Sequence, residues 1–376
     1  MLFMNFWYAA ELSEVVGDEP LKIRMLGQDF VLFRDETGKA HCLSNTCCHR
    51  GASLGNGIRA DGCIQCPYHG WRFAGDGRCT KVPSLGPNGK IPARARVDSY
   101  PTKEKFGLIH VFLGDLPEEE RPPMMEVPEY DKPGWRTTIQ EYRWTIDYQR
   151  SVENSLDPAH NEYVHPTHGF SGGRDDYFVP DLIPEQTDWS IGFRTTFNSP
   201  PLKDEKMKKA SGRSSNAVMT AGSWTNGPCN NVTKIDPMPE KHIYQYSYKT
   251  PIDETHSRNF LINVRNFMTE PENDERMMVR NDVVAGQDGQ VLEKMNPLIT
   301  PETNTKELFV PADKCISIYR DMLKQWIENG WCIDSKAVEL SGHRVAWAIP
   351  SPARRKIKGW VIDAIPTVRN VDKCDI

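Results

Sequence analysis

Short runs of apolar and polar residues, each closed within a few positions by turn residues, fill the first third of the chain. Phe30-Val31-Leu32-Phe33, the turn Asp35-Glu36-Thr37-Gly38-Lys39 and Ala40-His41-Cys42-Leu43 predict a β-hairpin by β-propensity and turn chemistry. Trp71-Arg72-Phe73, Gly75-Asp76-Gly77 and Arg78-Cys79-Thr80 predict a second, and Leu108 to Leu113 a closing strand. Residues 1–114 therefore read as a small β domain. Over 115–135, Pro117, Pro122, Pro123, Pro128 and Pro133 stand among acidic residues, a composition that continues neither helix nor central strand and predicts a connection. From 136 to 376 the pattern is mixed. Tyr246-Ser247-Tyr248 and Phe260 to Val264 are strand-like, while Ile316, Tyr319, Leu323, Trp326 and Ile327 form one helical stripe, begun by Asp313 and closed by Gly330. This part is expected to be an α+β domain. Residues 201–215, with Lys203, Lys206, Lys208, Lys209 and Arg213, predict a surface loop or lid.

Composition narrows the function classes. With 376 residues, 38% hydrophobic, including 10 Trp, 12 Tyr and 14 Phe, the chain can bury a sizeable core, which excludes a wholly disordered protein. Lys+Arg 46 against Asp+Glu 51 gives a formal charge of -5 without a basic block, so nucleic acid is not an expected partner. No apolar run approaches the roughly 18 residues of a spanning helix, and Met1 to Leu12 lacks a basic leader region, so the expectation is a cytoplasmic protein with no membrane partner. Ten cysteines would be odd as a disulfide framework here. Cys47, Cys48, Cys63, Cys66 and Cys79 crowd one short region beside His49 and His69, which points to a metal.

Cys47-Cys48-His49 and Cys66-Pro67-Tyr68-His69 each offer one thiolate and one imidazole. Zinc knuckles generally pair like with like, whereas a Rieske-type 2Fe-2S centre takes two Cys on one iron and two His on the other. The competing reading is a structural zinc held by the same four residues. Gly51 and Gly70, after the loop histidines, let backbone N–H groups approach closely; Cys42, Cys63 and Cys79 read as small core residues and Cys48 as an inert neighbour. Further on, Asn154, Asp157 and His160 are spaced three apart and share a face if the segment is helical. His165 can meet His160 on one ion only if the helix ends or bulges between them, and Pro166 favours an ending. Two His and a carboxylate form the open-faced set of non-haem Fe(II) oxygenases. For the carboxylate, Val284, Asp288, Val291, Leu292 and Met295 fall at helical spacing and would turn Asp288 inward, while Asp282 reads as solvated. His168 competes with His165, and the lesser reading of Asp157, before Pro158, is a helix-end or turn residue.

Taken together, Cys47-x-His49, Cys66-Pro67-Tyr68-His69-Gly70-Trp71-x-Phe73, Asn154-x-x-Asp157-x-x-His160-x(4)-His165 and Gln287-Asp288 with Glu293 resemble the oxygenase (alpha) component of Rieske non-haem iron oxygenases. Phe6-Trp7-Tyr8 and the stretch from Val310 to Arg320 resemble the branch with vanillate O-demethylase-like and phaeophorbide-oxygenase-like enzymes. Tyr68 stands where respiratory Rieske proteins carry an extra Cys. The resemblance implies an N-terminal all-β Rieske domain and a C-terminal catalytic domain with a curved antiparallel sheet packed on helices. It implies a 2Fe-2S cluster on Cys47, His49, Cys66 and His69, Fe(II) on His160, His165 and Asp288, and Asp157, with Asn154 near it, linking the iron to a Rieske histidine of the next subunit in a homotrimer. The chain shows no Gly-rich dinucleotide fingerprint, so a separate reductase or ferredoxin is the expected electron donor. The implied activity is O2-dependent hydroxylation or demethylation of a small, aromatic substrate, monooxygenation favoured over cis-dihydroxylation; Trp224, Tyr244 and Tyr246 are candidate pocket residues. Two rival classes are a Rieske electron carrier with a partner-binding C-terminal domain and a zinc-stabilised binding module.

Overall fold

The computed structural model describes residues 1–168, 170–199, 205, 208, 209 and 217–368. The lysine-rich stretch 201–215 therefore lies, apart from Glu205, Lys208 and Lys209, outside the described residues. The chain forms two compact units, Met1–Met124 with Gln325–Ile376 as far as the latter is described, and Met125–Lys324. No described helix is long and apolar enough to cross a membrane.

The first unit is built from short antiparallel strands. The first expected hairpin is present, Gln28–Arg34 pairing Ala40–Ser44 with Val31 opposite Leu43, and it belongs to a four-stranded sheet. The second expected hairpin pairs Arg72–Phe73 with Cys79–Lys81, in another four-stranded sheet with Ile58–Ala60 and Cys63–Gln65. The closing strand Leu108–Leu113 lies between Phe6–Leu12 and Thr102–Lys105. Phe30 to Phe33 are all buried, so this run packs on both faces and shows no alternation. The sequence assigns 136–376 to one C-terminal domain, whereas the described residues from Gln325 onward join the first unit. Leu2–Phe3 pairs with Cys332–Ile333, Phe6 meets Trp326 edge-on at 4.8 Å, and buried Asp98 accepts from Arg354 at 2.6 and 2.8 Å.

The second unit holds a seven-stranded antiparallel sheet in the order Arg136–Trp144, Ser257–Arg265, Lys241–Pro251, Asn230–Met238, Ala217–Asn226, Ile191–Ser199, Pro184–Gln186. The two expected strands lie inside its second and third members. Period-2 alternation sets Gln245, Ser247 and Lys249 on one face, opposite Thr233, Asn231 and, on the other side, Asn263, Leu261 and Asn259. The helix Asp274–Leu292 is fixed to this face by Asn281, which donates to Gln140 Oε1 at 3.0 Å and accepts from Gln245 Nε2 at 3.3 Å. On the opposite face Tyr246 donates to Glu129 and Tyr248 to the Met125 carbonyl.

Candidate metal centres

The first unit presents two loops of matching construction. In one, Cys47 N–H donates to the Ala52 carbonyl and Gly51 N–H to the Cys47 carbonyl; in the other, Cys66 N–H donates to Trp71 and Gly70 N–H to Cys66. Gly51 and Gly70 both adopt left-handed φ, +75° and +69°, the conformation that closes each loop at least cost with glycine. Each Cys is rooted in the core with Phe33, Leu54 and Phe73, 1% and 2% exposed, while His49 and His69 are exposed at the loop tips with rings 4.5 Å apart. Trp71 stacks face to face on His49, 4.4 Å away and 6° from parallel. Burial pushes the Cys47 thiol up to about 12, partly countered by the His49 N–H. Thiolate charge at such a depth needs a metal cation to compensate it. Among the described residues these four donors do not gather within 4.8 Å of one another, as the ligands of one zinc would. A buried sulfur pair below a surface imidazole pair suits two ions bridged into a cluster.

The second centre is assembled from distant segments. Asp147 caps the helix Tyr148–Ser155, accepting from Gln149 N–H, and the helix stops ahead of Asp157 because Pro158 disfavours helical backbone before it. Asn154, Asp157 and His160 therefore do not share one helix face, a correction to the sequence reading. A short helix, Asn161–Val164, follows and ends just before His165, the ending that Pro166 foretold. His160 Nδ1 donates to the Asp157 carbonyl at 2.5 Å, and His165 Nδ1 to Gln287 Oε1 at 3.1 Å, where the Thr167 hydroxyl also donates. Both Nε2 atoms are left as lone-pair donors, 3.1 Å apart, with Asp288 Oδ1 3.2 Å from His165 Nε2 and 3.8 Å from His160 Nε2. Two lone pairs and a carboxylate at this separation repel unless a cation lies between them, and ligands meeting at right angles on one ion sit about 3 Å apart. Asn154 Nδ2 steadies the carboxylate from the side at 3.1 Å. Burial pushes Asp288 up, but the His165 and His160 rings and Asn154 hold it below the usual carboxylate range. His168 is outside the three-donor group.

Asp288 stands where the sequence expected a ligand, but not for the reason given. Val291 and Met295 are exposed, and the buried stripe of this helix is Met277, Asn281, Ala285, Gly289 and Leu292. Asp282 is exposed, as expected, yet also accepts from Gln140 at 2.6 Å and Tyr142 at 3.1 Å. His160, His165 and Asp288 line a cavity of ≈ 260 Å³ whose floor is the sheet face carrying Ser247, Lys249 and Asn259. Tyr244, Tyr246 and Trp224 do not line it: they are one residue out of phase and belong to the other face. Phe170 and Tyr177 form a wall, held by the buried Glu162, which accepts from Ser171 Oγ at 2.6 Å and Gly172 N–H at 3.0 Å. Sequence reasoning missed Lys249, Gln287, Thr167 and the Trp71 stack. Only strand parity could have found Lys249; Gln287 was legible merely as the neighbour of Asp288.

Residues 5–101 match the Rieske [2Fe-2S] domain and residues 144–329 the vanillate O-demethylase oxygenase C-terminal domain. Over 195 residues, 51% of this chain and 35% of the relative, the chain is 33% identical to the chloroplastic protein TIC 55 of Arabidopsis thaliana. Over 168 residues, 44% of this chain and 48% of the relative, it is 32% identical to the iron-sulfur subunit of the toluene-4-sulfonate monooxygenase system of Comamonas testosteroni. The chain spans less than half the length of these relatives. Its fold matches NdmA of Pseudomonas putida CBB5, solved with caffeine, with TM-score 0.73 and 23% identity over 86% of this chain and 91% of that one. Dicamba monooxygenase bound to dicamba gives 0.68 and 23% over 86% and 96%.

Proposed function

The chain belongs to the Rieske oxygenase family, and from that premise we propose that it is a terminal oxygenase component, hydroxylating or demethylating a small aromatic substrate with O2 and electrons from a separate reductase or ferredoxin. The observation that carries this reading is the convergence of His160 Nε2, His165 Nε2 and Asp288 Oδ1 on one wall of a cavity large enough for a single ring. Cys47 and Cys66 would hold one iron of the cluster and His49 and His69 the other; His160, His165 and Asp288 would hold Fe(II). When bound, the cluster supplies one-electron transfer and the Fe(II) supplies an open face for dioxygen.

The remaining work belongs to the protein's own groups. The Asp157 carbonyl and Gln287 fix both imidazoles in the tautomer that presents Nε2, and Asn154 orients the Asp288 carboxylate. Phe170 and Tyr177 close one side of the cavity and limit water around the reacting carbon. Asp157, 25% exposed at its side chain, is the group we assign to face a Rieske histidine of the neighbouring subunit in a homotrimer. A cytoplasmic location, beside a diffusing electron donor, belongs to the same reading.

Replacing His160 by Ala tests it. The visible spectrum of the cluster should persist while product formation is abolished; turnover by His160→Ala would remove the assigned iron site. Metal analysis separates the rival carrier reading, which requires about two iron atoms per chain where the oxygenase requires about three.

A further inference from the structure

Asn154, the side chain that steadies Asp288, sits where a helix does not hold itself. The helix Tyr148–Ser155 has eight residues, fewer than a helix needs to be stable alone, and Asn154 lies in its last turn, where backbone carbonyls lack partners within the helix. Its Nδ2 nevertheless stands 3.1 Å from Asp288 Oδ1, a bond that a frayed turn would lose. The turn is therefore fixed from outside the helix.

Two buried groups do this, from opposite sides. Lys249, 4% exposed on the strand Lys241–Pro251, donates from Nζ to the Ser151 carbonyl at 2.6 Å and to Ser155 Oγ at 2.8 Å. Ser155 Oγ itself donates to the Ser151 carbonyl at 3.1 Å, so the three atoms close a triangle over the end of the helix. Arg320, 4% exposed on the helix Lys314–Glu328, grips the buried Glu153 with both arms, Nε to Oε1 and Nη2 to Oε2, each at 2.7 Å. Glu153 and Ser155 are the residues on either side of Asn154, each about 100° from it around the helix. Burial pulls Lys249 down to about 7, and its clamp holds in either form: ammonium or amine, Nζ keeps the two N–H donors that its two acceptors use. We propose that Lys249 and Arg320 are positioning residues of the Fe(II) centre, locking the last turn of this helix from both sides and so setting the Asn154 amide against the Asp288 carboxylate. The proposal rests on the oxygenase reading for the identity of the ion only.

The test measures metal binding rather than turnover. Protein that keeps its cluster but is depleted of mononuclear iron is titrated with Fe(II), as wild type and as Lys249→Met, Arg320→Lys and Asn154→Ala, singly and with each of the first two combined with the third. Outer partners of metal-bound groups commonly contribute about 10- to 100-fold to affinity, so Lys249→Met should weaken Fe(II) binding about 10-fold. Arg320→Lys keeps the charge but loses the two-armed grip, and should weaken binding by a smaller factor. Because both residues act through Asn154, both losses should shrink to within about twofold in the Asn154→Ala background. A merely structural role would lower the unfolding temperature and cost the same Fe(II) affinity with and without Asn154, and that result would overturn the proposal, as would wild-type affinity in both single variants. Where Lys249→Met fails to fold, Ser155→Ala, which removes one of its two acceptors, enters the same cycle with the same expectation. His160→Ala separates the two readings: Fe(II) binding that it abolishes, but that Lys249→Met and Arg320→Lys leave unchanged, sinks this proposal alone, whereas binding that survives His160→Ala sinks the assigned iron site as well.

Discussion

The two centres obey opposite rules of sequence distance. The proposed cluster loops would draw all four donors from residues 47–69, and each loop is closed by the same pair of backbone hydrogen bonds on a left-handed glycine. The proposed mononuclear centre would take two donors from one short segment and the third from a helix more than a hundred residues later, held in place through Asn281, Gln140 and Gln245. A site built from neighbours is written in spacing, because the turn that makes it is local. A site built across a fold is written in which helix face meets which strand face, and spacing says little about that.

This contrast can be broken most directly by removing one donor from each centre. Asp288→Ala should lower iron from about three to about two atoms per chain, keep the visible cluster spectrum and abolish product formation. Cys66→Ser should do the reverse, bleaching the cluster and leaving mononuclear iron in place. Iron analysis beside visible absorption checks both, and loss of all iron in either variant would mean that the centres are not independent. A smaller effect is expected at Gln287, which fixes His165 through Nδ1 and is itself held by Thr167. Gln287→Leu should weaken Fe(II) binding about 10- to 100-fold without touching the cluster, as outer partners of metal-bound histidines commonly do. Titration of iron-depleted protein with Fe(II) measures it.

Most of the fold was legible where the pattern was local. Both hairpins of the first unit and the two strands Lys241–Pro251 and Ser257–Arg265 follow from short apolar runs and turn residues. The membership of the described residues from Gln325 onward was not, because it depends on Phe6 meeting Trp326 and on Leu2–Phe3 adding to Cys332–Ile333, contacts that no spacing records. His160, His165 and Asp288, the three proposed donors, lie together in space, but Asp288 was reached through an apolar stripe whose outer members Val291 and Met295 are exposed. What makes Asp288 usable is polar: Asn154 donates to it, and its Oδ1 lies 3.2 Å from His165 Nε2. The aromatic pocket residues failed on parity. A strand with side chains of mixed character on both faces does not announce which face meets a cavity, and Tyr244 and Tyr246 took the eye from Ser247 and Lys249.

The smallest expected effect lies on the cluster side. Trp71 is not a donor, yet its ring lies parallel to the exposed His49 imidazole at 4.4 Å, and its backbone carbonyl closes the second loop on Cys66 N–H. The backbone bond survives substitution and the stack does not, so Trp71→Leu isolates the ring's share. Aromatic pairs of this kind contribute about 0.5–1.5 kcal/mol beyond their buried area. The variant should still assemble the cluster and bind Fe(II) as tightly as the wild type, with the cluster's visible circular dichroism altered and its thermal bleaching moved down by the equivalent of about 1 kcal/mol. His69, whose ring meets His49 edge-on and lies tilted 34° against the Tyr68 ring rather than parallel to an indole, provides the internal contrast. If Trp71→Leu instead lost the cluster outright, the local backbone closure would be insufficient by itself, and the first centre would depend on tertiary packing much as the second does.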